Sequence, residues 1–220
     1  MEATRSPRLR SAASLVALPL VAVSTGCVGL LAQMGYWSGG GNVPPAYAGL
    51  EGQRVAVVCV SESPSLGSGG DAVLLAREVG TILRRRVKNI TVVSPEEVAD
   101  WTDRNDWNEV DFVEVGRGVK AEKVVAVDLS GFGLYEGKTL YRGRANLTVR
   151  VFDLTDGGKE VFRRNLPEQS FPANGAYPAT DTSEARFRMA FLKVLAKRVA
   201  KFFYEYEQKE DFSPDPPFLG

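Results

Sequence analysis

Few residues in this chain could act as nucleophiles or metal ligands. The sequence has two cysteines, Cys27 and Cys59, and no histidine. Without histidine, Ser-His-Asp and Cys-His catalysis are excluded, as are metal sites with imidazole ligands. Cys59 lies inside the apolar run VAVVCV at residues 55–60, so we expect a buried, unreactive thiol. Cys27 directly follows the small residues Ser24-Thr25-Gly26 and is the side chain for which we predict a chemical modification.

Carboxylates are the remaining candidates for acid–base chemistry. Asp128 and Asp153 end two predicted strands, where the carboxylates of hydrolases often lie. A histidine-free hydrolase that uses such strand-end carboxylates is therefore an alternative function. Because neither residue has a second defined partner in the sequence, we favour capping or turn hydrogen bonds for both and predict no catalytic residue.

An acidic group lies between two predicted helices: Asp100, Asp103, Asp106, Glu109 and Asp111. These carboxylates could suggest a calcium loop, but the segment lacks the glycine and the spacing of an EF-hand, and tryptophans interrupt it. We expect a solvated helix end and loop here, and no metal site.

The segment GSGGDA at residues 67–72 formally fits the G-x-G-x-x-A pattern of dinucleotide-binding loops. Gly67 lies several residues beyond the preceding strand, and Asp71 would put a negative charge where a pyrophosphate binds. The next strand ends at Ser94 without the acidic residue that would hold a ribose. We predict a flexible loop with Asp71 as the N-cap of the following helix, and no cofactor.

The amino-terminal segment predicts where the protein is located. Three arginines within the first ten residues precede an uncharged stretch, residues 11–37, whose centre LVALPLVAV is apolar. A basic region, a short apolar region and small residues are the parts of a secretory signal. With the cysteine that follows them, they resemble the lipobox of bacterial lipoproteins, which implies that Cys27 is lipidated and becomes the mature amino terminus. Ser24 departs from that pattern, since an aliphatic residue is usual three positions before the cysteine.

Three other interpretations of this segment stay open. Residues 11–37 are long enough to span a bilayer as an uncleaved helix, with the arginines in the cytoplasm. The segment could also be a plain cleaved signal, or a buried apolar helix of a cytoplasmic protein. The lipoprotein, the anchor and the cleaved signal all place residues 50–220 outside the cytoplasm. We therefore predict an extracytoplasmic, membrane-anchored protein of the bacterial periplasm or envelope.

Composition and hydrophobic periodicity divide the chain into four parts. Residues 1–27 are the signal and lipobox segment or anchor, 28–53 a tether rich in glycine and proline, 54–206 an α/β domain, and 207–220 a proline-rich tail. The predicted elements are strand 54–61, helix 71–87, strand 90–93, helices 95–103 and 111–119, strands 123–129, 141–154 and 159–166, and a last helix to about residue 206.

Three β-then-α units followed by a hairpin predict the fold class. Asp156-Gly157-Gly158 is a hairpin turn, and residues 141–154 alternate between apolar and polar side chains. We expect one mixed α/β (α+β) domain of two or three layers. Its mixed sheet has about five strands, with a β-hairpin and a long C-terminal helix.

Four motifs of the domain occur in a recognisable order: VAVVCVS, ITVVSPEEV, GRGVKAEKVVAVDLSGF and LTVRVFDLTDGGKEVF, before the closing helix. This order resembles the small α/β domain of the curli secretion-channel lipoprotein and the N-terminal domain of the Tol-Pal propeller protein. The leader together with NVPPAYAGLEGQRVAVV also resembles a group of uncharacterised bacterial lipoproteins. The resemblance covers residues 54–206 and implies an envelope accessory or binding domain, neither a pore nor a known enzyme.

Charge limits the partners. The chain has 27 basic and 27 acidic residues, whereas nucleic-acid binders need surplus lysine and arginine, so we predict no nucleic-acid partner. The final helix has basic residues that could contact anionic lipid or polysaccharide, although we favour a solvated face: Arg186, Arg188, Lys193, Lys197, Arg198 and Lys201. We expect a non-enzymatic binding or scaffold domain. Its predicted partners are the membrane, through an N-terminal lipid or helix, and an envelope protein, with an accessory role in a transport or secretion complex as one form.

Overall fold

The computed structural model describes residues 41–61, 68–105 and 111–208. The chain divides into two units, Met1–Gly41 and Asn42–Gly220, and all elements below belong to the second. Some predicted features lie outside the described residues. They are the signal or anchor segment that contains Cys27, the single residues Gly67, Asp106 and Glu109, and residues 209–220 of the tail. Among the described helices, none is long and apolar enough to cross a membrane.

The described part of the chain contains eight strands and four α-helices. The strands are β1 (Asn42–Val43), β2 (Arg54–Ser61), β3 (Thr91–Val92), β4 (Lys123–Glu136), β5 (Leu140–Asp153), β6 (Lys159–Phe171), β7 (Tyr177–Pro178) and β8 (Tyr206–Glu207). The helices are α1 (Ser68–Arg86), α2 (Pro95–Arg104), α3 (Phe112–Gly118) and α4 (Glu184–Ala200), and a 3₁₀ turn (Lys201–Phe203) follows α4.

Six strands form one mixed sheet in the order β3-β2-β4-β5-β6, with β7 beside the start of β5. β3, β2 and β4 are parallel, whereas β4, β5 and β6 are antiparallel to their neighbours. The predicted α/β class, the hairpin and the long C-terminal helix are confirmed. The sheet has six strands instead of about five because the two-residue strand β7 lies in a proline-rich segment without a strand pattern.

β2 is apolar on both faces, as expected of a strand that helices cover on both sides. Val55 and Val57 belong to a large core with residues of α1 and α4, whereas Ala56 and Val58 belong to a second core with residues of α2 and α3. All four side chains are buried. The domain therefore has three layers, with α1 and α4 on one face of the sheet and α2 and α3 on the other.

Residues 42–53, which the sequence predicts as the end of a tether, contribute to the fold. β1 pairs antiparallel with β8, and the amide of Tyr47 donates to the carbonyl of Phe202 at 2.9 Å. Leu50 is fully buried in the large core. The first residues of the folded unit are thus held by the residues that follow α4.

The final helix ends earlier than its periodicity predicts. α4 stops at Ala200, the 3₁₀ turn follows, and the backbone is extended at Tyr204. Phe203 and Tyr204 are buried although the helix has already ended. Apolar residues therefore continue at helical spacing beyond the end of α4, and this spacing predicts a further helical turn that the structure does not contain.

A charged network joins the amino ends of α1 and α4. Because α1 begins at Ser68, Asp71 lies in its first turn and not at the predicted N-cap. The buried carboxylate of Asp71 accepts a hydrogen bond of 2.6 Å from Nη1 of Arg188. Nη2 of Arg188 donates to Glu184, which also accepts from the hydroxyl of Tyr135. Burial raises the pKa of Asp71, whereas the charge and the hydrogen bond of Arg188 lower it. Arg188 therefore offsets part of the cost of burying this carboxylate.

A second ion pair lies at the amino end of β4. Nζ of Lys123 donates to Asp153 at 2.5 Å across the β4–β5 ladder, and the amide and hydroxyl of Thr155 donate to the same carboxylate. The hydrogen bonds from Lys123 and then Thr155 lower the pKa of Asp153 to about 2. Burial alone would lower the pKa of Lys123, but its hydrogen bond to Asp153 raises it. Asp153 is therefore a structural carboxylate that stays ionised at neutral pH.

Replacing Arg188 with methionine should lower the free energy of unfolding by about 3 kcal/mol, because it leaves a buried carboxylate without its counter-charge. Arg186→Met, an exposed position on the same helix, is the control and should change that free energy by less than about 0.5 kcal/mol. Urea denaturation at neutral pH measures both variants. Equal losses in the two would contradict the role given to Arg188.

Asp153→Asn should lower the free energy of unfolding by about 2 kcal/mol at pH 7, because the folded state holds this pKa near 2 instead of the ordinary 3.8. Since the folded-state pKa is depressed, the contribution is complete above the ordinary pKa and is lost as the pH falls toward 2. In urea denaturation, the difference between wild type and variant should shrink below about pH 4. Asp156→Asn, an exposed carboxylate in the following turn, is the control. A loss for Asp153→Asn that does not depend on pH would show that its charge is not what stabilises the domain.

Candidate functional site

On one face of the sheet, apolar side chains covered by helices give way to polar side chains between β4 and β6. α2 and α3 cover β2 and the amino half of β4 on this face, and Phe112 of α3 stacks on Phe152 of β5 with ring centroids 6.0 Å apart. Past this contact the side chains are polar and half-buried or exposed, and we call this surface the open face. Its charged and polar residues are Asp128, Glu136, Arg142, Arg144, Asn146, Thr148, Arg150, Glu160, Arg163 and Asn165.

Strand register arranges these side chains in rows. Asp128, Thr148 and Asn165 are direct cross-strand neighbours on β4, β5 and β6, and Arg150 and Arg163 form the next row. Because side chains alternate along a strand, the other side of β5 faces the large core. The alternation predicted for residues 141–154 is confirmed, since Ala145, Leu147, Val149 and Val151 are all buried.

Arg150 is held from three sides. Its Nη2 donates to Asp128 at 2.8 Å, and its guanidinium carbon lies 5.0 Å from the ring centroid of Phe112 and 5.4 Å from that of Phe152. A planar guanidinium between two rings and a carboxylate has few alternative rotamers. Arg150 is therefore fixed in place before any partner binds.

Two further carboxylates bind arginines on the open face. Glu136 accepts hydrogen bonds from Arg142 at 3.1 Å and from Arg144 at 3.3 Å. Glu160 accepts two hydrogen bonds of 2.7 Å from Arg163. The hydrogen bonds from Arg163 lower the pKa of Glu160, and those to Glu160 raise the pKa of Arg163, so this pair stays charged.

The open face offers arginine donors beside carboxylate acceptors. Each guanidinium has five N–H groups, of which these ion pairs use only some. Within the part of the chain that the structure describes, the Nε groups of Arg142 and Arg150 are buried and have no hydrogen-bond acceptor. The exposed Nη groups of these arginines are the donors that carboxylates and carbonyls of another molecule could reach, and arginine beside aromatic rings is typical of protein interfaces. The arrangement places arginine donors and carboxylate acceptors side by side on an uncovered part of the sheet.

Asp128 and Asp153, the carboxylates of the alternative hydrolase, are not brought together. Asp128 belongs to the open face, whereas Asp153 pairs with Lys123 on the side of the sheet that α1 and α4 cover. Their rows are also five residues apart along β4, or about 17 Å. Because each carboxylate binds a different cation on a different face, a mechanism that uses both has no geometric basis.

Cys59 is half-buried, where the sequence predicts a buried thiol, because it lies in the half-buried carboxyl end of β2. Burial first, and then the charge of Asp128, raise the pKa of its thiol. The thiol is therefore protonated at neutral pH and a poor nucleophile, as expected.

The other motifs singled out in the sequence have structural positions. Residues 68–70 form the first turn of α1 instead of the predicted flexible loop. Asp100 and Asp103 are exposed on α2, and Asp111 caps α3 by accepting hydrogen bonds from two amides of its first turn. In residues 41–61, 68–105 and 111–208, no group of three or more acidic or cysteine side chains is placed to hold a metal ion.

The basic residues of the final helix do not form one solvated face. Arg188 binds the buried carboxylate in α1, Arg198 donates to Gln169 of β6, and Nζ of Lys201 lies 4.4 Å from the ring centroid of Tyr206. Arg186, like Lys193 and Lys197, is exposed. The predicted face is thus divided between contacts inside the domain and exposed side chains.

A signal for the open face is present in the sequence, although the predictions above did not use it. Arg142, Arg144 and Arg150 all have even numbers in a strand whose odd residues are mostly apolar. Repeated arginines on the polar side of a strand indicate a row of donors. The carboxylates that bind them, Asp128 and Glu136, come from β4, and their positions depend on strand register.

Neither a protein-family model nor a curated protein matches the sequence. Among solved structures, the chain is similar to lipoprotein GNA1162 from Neisseria meningitidis, with 13% identity and a TM-score of 0.44 over 66% of this chain and 96% of that one. It is similar to the PelC dodecamer from Paraburkholderia phytofirmans, with 13% identity and a TM-score of 0.46 over 74% of this chain and 95% of that one. It is also similar to the LpoB C-terminal domain from Salmonella enterica, with 13% identity and a TM-score of 0.35 over 55% of this chain and 82% of that one. These structures include a bacterial lipoprotein, and the resemblance of the chain to the curli and Tol-Pal domains stays a prediction.

Proposed function

We propose that this protein is a non-enzymatic lipoprotein, held outside the cytoplasm by a lipid on Cys27, whose domain binds an envelope protein through the open face. The observation that carries the proposal is the open face itself, on which four arginines and three carboxylates form ion pairs on the uncovered side of β4, β5 and β6. The two strand-end carboxylates of the alternative hydrolase, Asp128 and Asp153, lie on opposite faces of the sheet.

The charge pattern of the open face favours a protein partner over a polyanion. Each of its arginines stands beside a carboxylate, so the surface is nearly neutral but strongly patterned. A patterned surface of this kind selects a partner with complementary positive and negative groups. The fixed position of Arg150 lowers the entropy lost when such a partner binds.

The location follows from the leader. Arginines, a short apolar centre and small residues before Cys27 are the parts of a lipoprotein signal. A lipid on that cysteine would tie the domain to a membrane, where envelope proteins are its neighbours. The resemblance to the curli channel lipoprotein and the Tol-Pal protein favours an accessory subunit of a transport or secretion complex as the form of this role.

Lipidation is tested by the two cysteines themselves. Cys27→Ser should abolish incorporation of labelled palmitate in cells and move the protein out of the membrane fraction, because the thiol that takes the lipid is gone. Cys59→Ser removes the other cysteine of the chain and should leave both the label and the fractionation unchanged. Absence of label in the wild type, with membrane attachment unchanged in Cys27→Ser, would contradict the lipid anchor.

Binding through the open face is tested by photo-crosslinking in whole cells. A photoreactive side chain at Asn165, on the open face, should give a defined crosslinked complex, whereas the same group at Lys193, exposed on α4, should give none. Mass spectrometry of the complex then identifies the partner. Recovery of monomer alone from both positions, or equal crosslinking from both, would contradict the assignment of this face.

Arg150→Met should weaken association with the crosslinked partner by about tenfold or more, because buried interface arginines are frequent hot spots. Arg77→Met is the matched control, since Arg77 of α1 forms an exposed ion pair with Glu96 of α2 at 2.7 Å and is not part of the open face. Affinity and melting temperature are measured together. A loss of affinity that only follows the loss of melting temperature, in both variants, would show that the arginine acts through stability alone.

A further inference from the structure

Asparagine followed by glycine occurs once in the sequence, at Asn174-Gly175. The pair lies in the loop 172–176, which connects β6 to β7. Both residues are exposed, and neither has a hydrogen-bond partner among the residues that the structure describes. No hydrogen bond within that part of the chain therefore keeps the side-chain amide of Asn174 away from the backbone amide of Gly175.

The residues on either side of this loop are fixed. Phe171 pairs with Gly143 and Tyr177 pairs with Tyr141, both on the neighbouring strand β5. The ring centroids of Phe171 and Tyr177 lie 6.3 Å apart, and Phe171 is buried in the large core. The core thus holds the two ends of the loop, and Asn174 lies midway between them in the sequence.

The backbone at Gly175 leaves its amide nitrogen unshielded. Its φ angle is +77°, and no atom lies within 4 Å of the position that a Cβ would occupy. A residue with a side chain adopts this conformation only with strain, so the loop favours glycine here. Without a side chain at this position, the nitrogen stays open to attack on the preceding side chain.

The asparagines in the long strands differ in each of these respects. Asn146 of β5 and Asn165 of β6 both precede leucine and lie within paired segments of the sheet. The side-chain oxygen of Asn146 also accepts a hydrogen bond of 2.8 Å from the amide of Glu168. A reaction between side chain and backbone at these positions requires the sheet to open locally, which costs free energy.

We infer that Asn174 deamidates spontaneously in the folded protein. The amide nitrogen of Gly175 gives its proton to hydroxide and bonds to Cγ of Asn174, and the bond from Cγ to Nδ2 breaks. Nδ2 takes a proton from water, which regenerates the hydroxide, and leaves as ammonia, so that a succinimide ring remains. Such an attack within one chain is favoured because the reacting groups are already neighbours.

Water then opens the succinimide in one of two ways. Cleavage between the nitrogen of Gly175 and Cγ gives aspartate, whereas cleavage between that nitrogen and the main-chain carbonyl carbon gives isoaspartate. Both products replace a neutral amide by a carboxylate, and isoaspartate also adds the side-chain methylene to the main chain. The loop ends pair with the two neighbours of Arg142, so the charge changes next to the segment of β5 that carries this arginine.

The test compares the rate of deamidation in the folded and in the unfolded protein. The purified protein is incubated at mildly alkaline pH in buffer and, in parallel, in guanidinium chloride, and peptide mass spectrometry follows the conversion of amide to acid. In the folded protein, Asn174 should convert within about threefold of its rate in the unfolded chain, since an exposed loop opens at almost no cost. Asn146 and Asn165 in the folded protein should convert at least about tenfold more slowly than Asn174. Electron-transfer fragmentation should find isoaspartate together with aspartate at position 174.

Two glutamine variants complete the test. Asn174→Gln keeps a side-chain amide but requires a larger, less favourable ring, so conversion at this position should slow by about tenfold or more. Asn165→Gln is the matched control and should leave the conversion of Asn174 unchanged. An Asn174 that stays intact in the folded protein while it converts in the unfolded chain would overturn the inference. Equal conversion in wild type and Asn174→Gln, or equal rates at Asn146 and Asn174 in the folded protein, would overturn it as well.

Discussion

The rest of the structure depends on the burial of β2 on both of its faces. Val55 and Val57 point to one side and Ala56 and Val58 to the other, and all four are removed from water. A strand of this kind needs helices on both sides, which fixes the three layers and places β2 at the centre of the parallel part of the sheet. The need for helices on both sides of the sheet ends at β5, where the side chains of only one side are apolar. The open face therefore arises where two-sided burial gives way to one-sided burial along a single sheet.

Patterns within one strand or helix were sufficient to predict the layers and most of the elements. The alternation of residues 141–154 predicts which side of β5 is buried, because a strand with one solvated face must alternate. The same reasoning cannot supply the partner of a charge. Asp71 is paired with Arg188, which lies 117 residues later, and only the packing of α1 against α4 brings them together. The local pattern suggested an N-cap because Asp71 precedes the apolar stripe of α1, although the helix begins one turn earlier.

The carboxyl end of the domain shows a second limit of local patterns. Phe202, Phe203 and Tyr206 continue the spacing of α4, so the sequence predicts more helix than the structure contains. Contacts with distant residues end it: Tyr47 packs on Phe203 at 6.4 Å between ring centroids and bonds the backbone of Phe202. For the same reason residues 42–53 resemble a tether in composition but belong to the fold. The structure of residues 42–53 depends on the residues that follow α4, and the structure of those residues depends on 42–53. Neither segment's own sequence therefore predicts its structure.

The arginines of the open face act through the positions of their donors more than through net charge. On the open face carboxylates bind Arg150 and Arg163, so the charges cancel at long range. The positions of the arginine N–H donors stay fixed by the same ion pairs. Such groups discriminate between partners at contact distance. Donors that act at contact distance must be held in place before a partner arrives, and Phe112, Phe152 and Asp128 hold Arg150 in this way. The fold leaves room for these donors because α2 and α3 cover only β2 and the amino half of β4, so the open face lies on the side of the sheet away from α1 and α4.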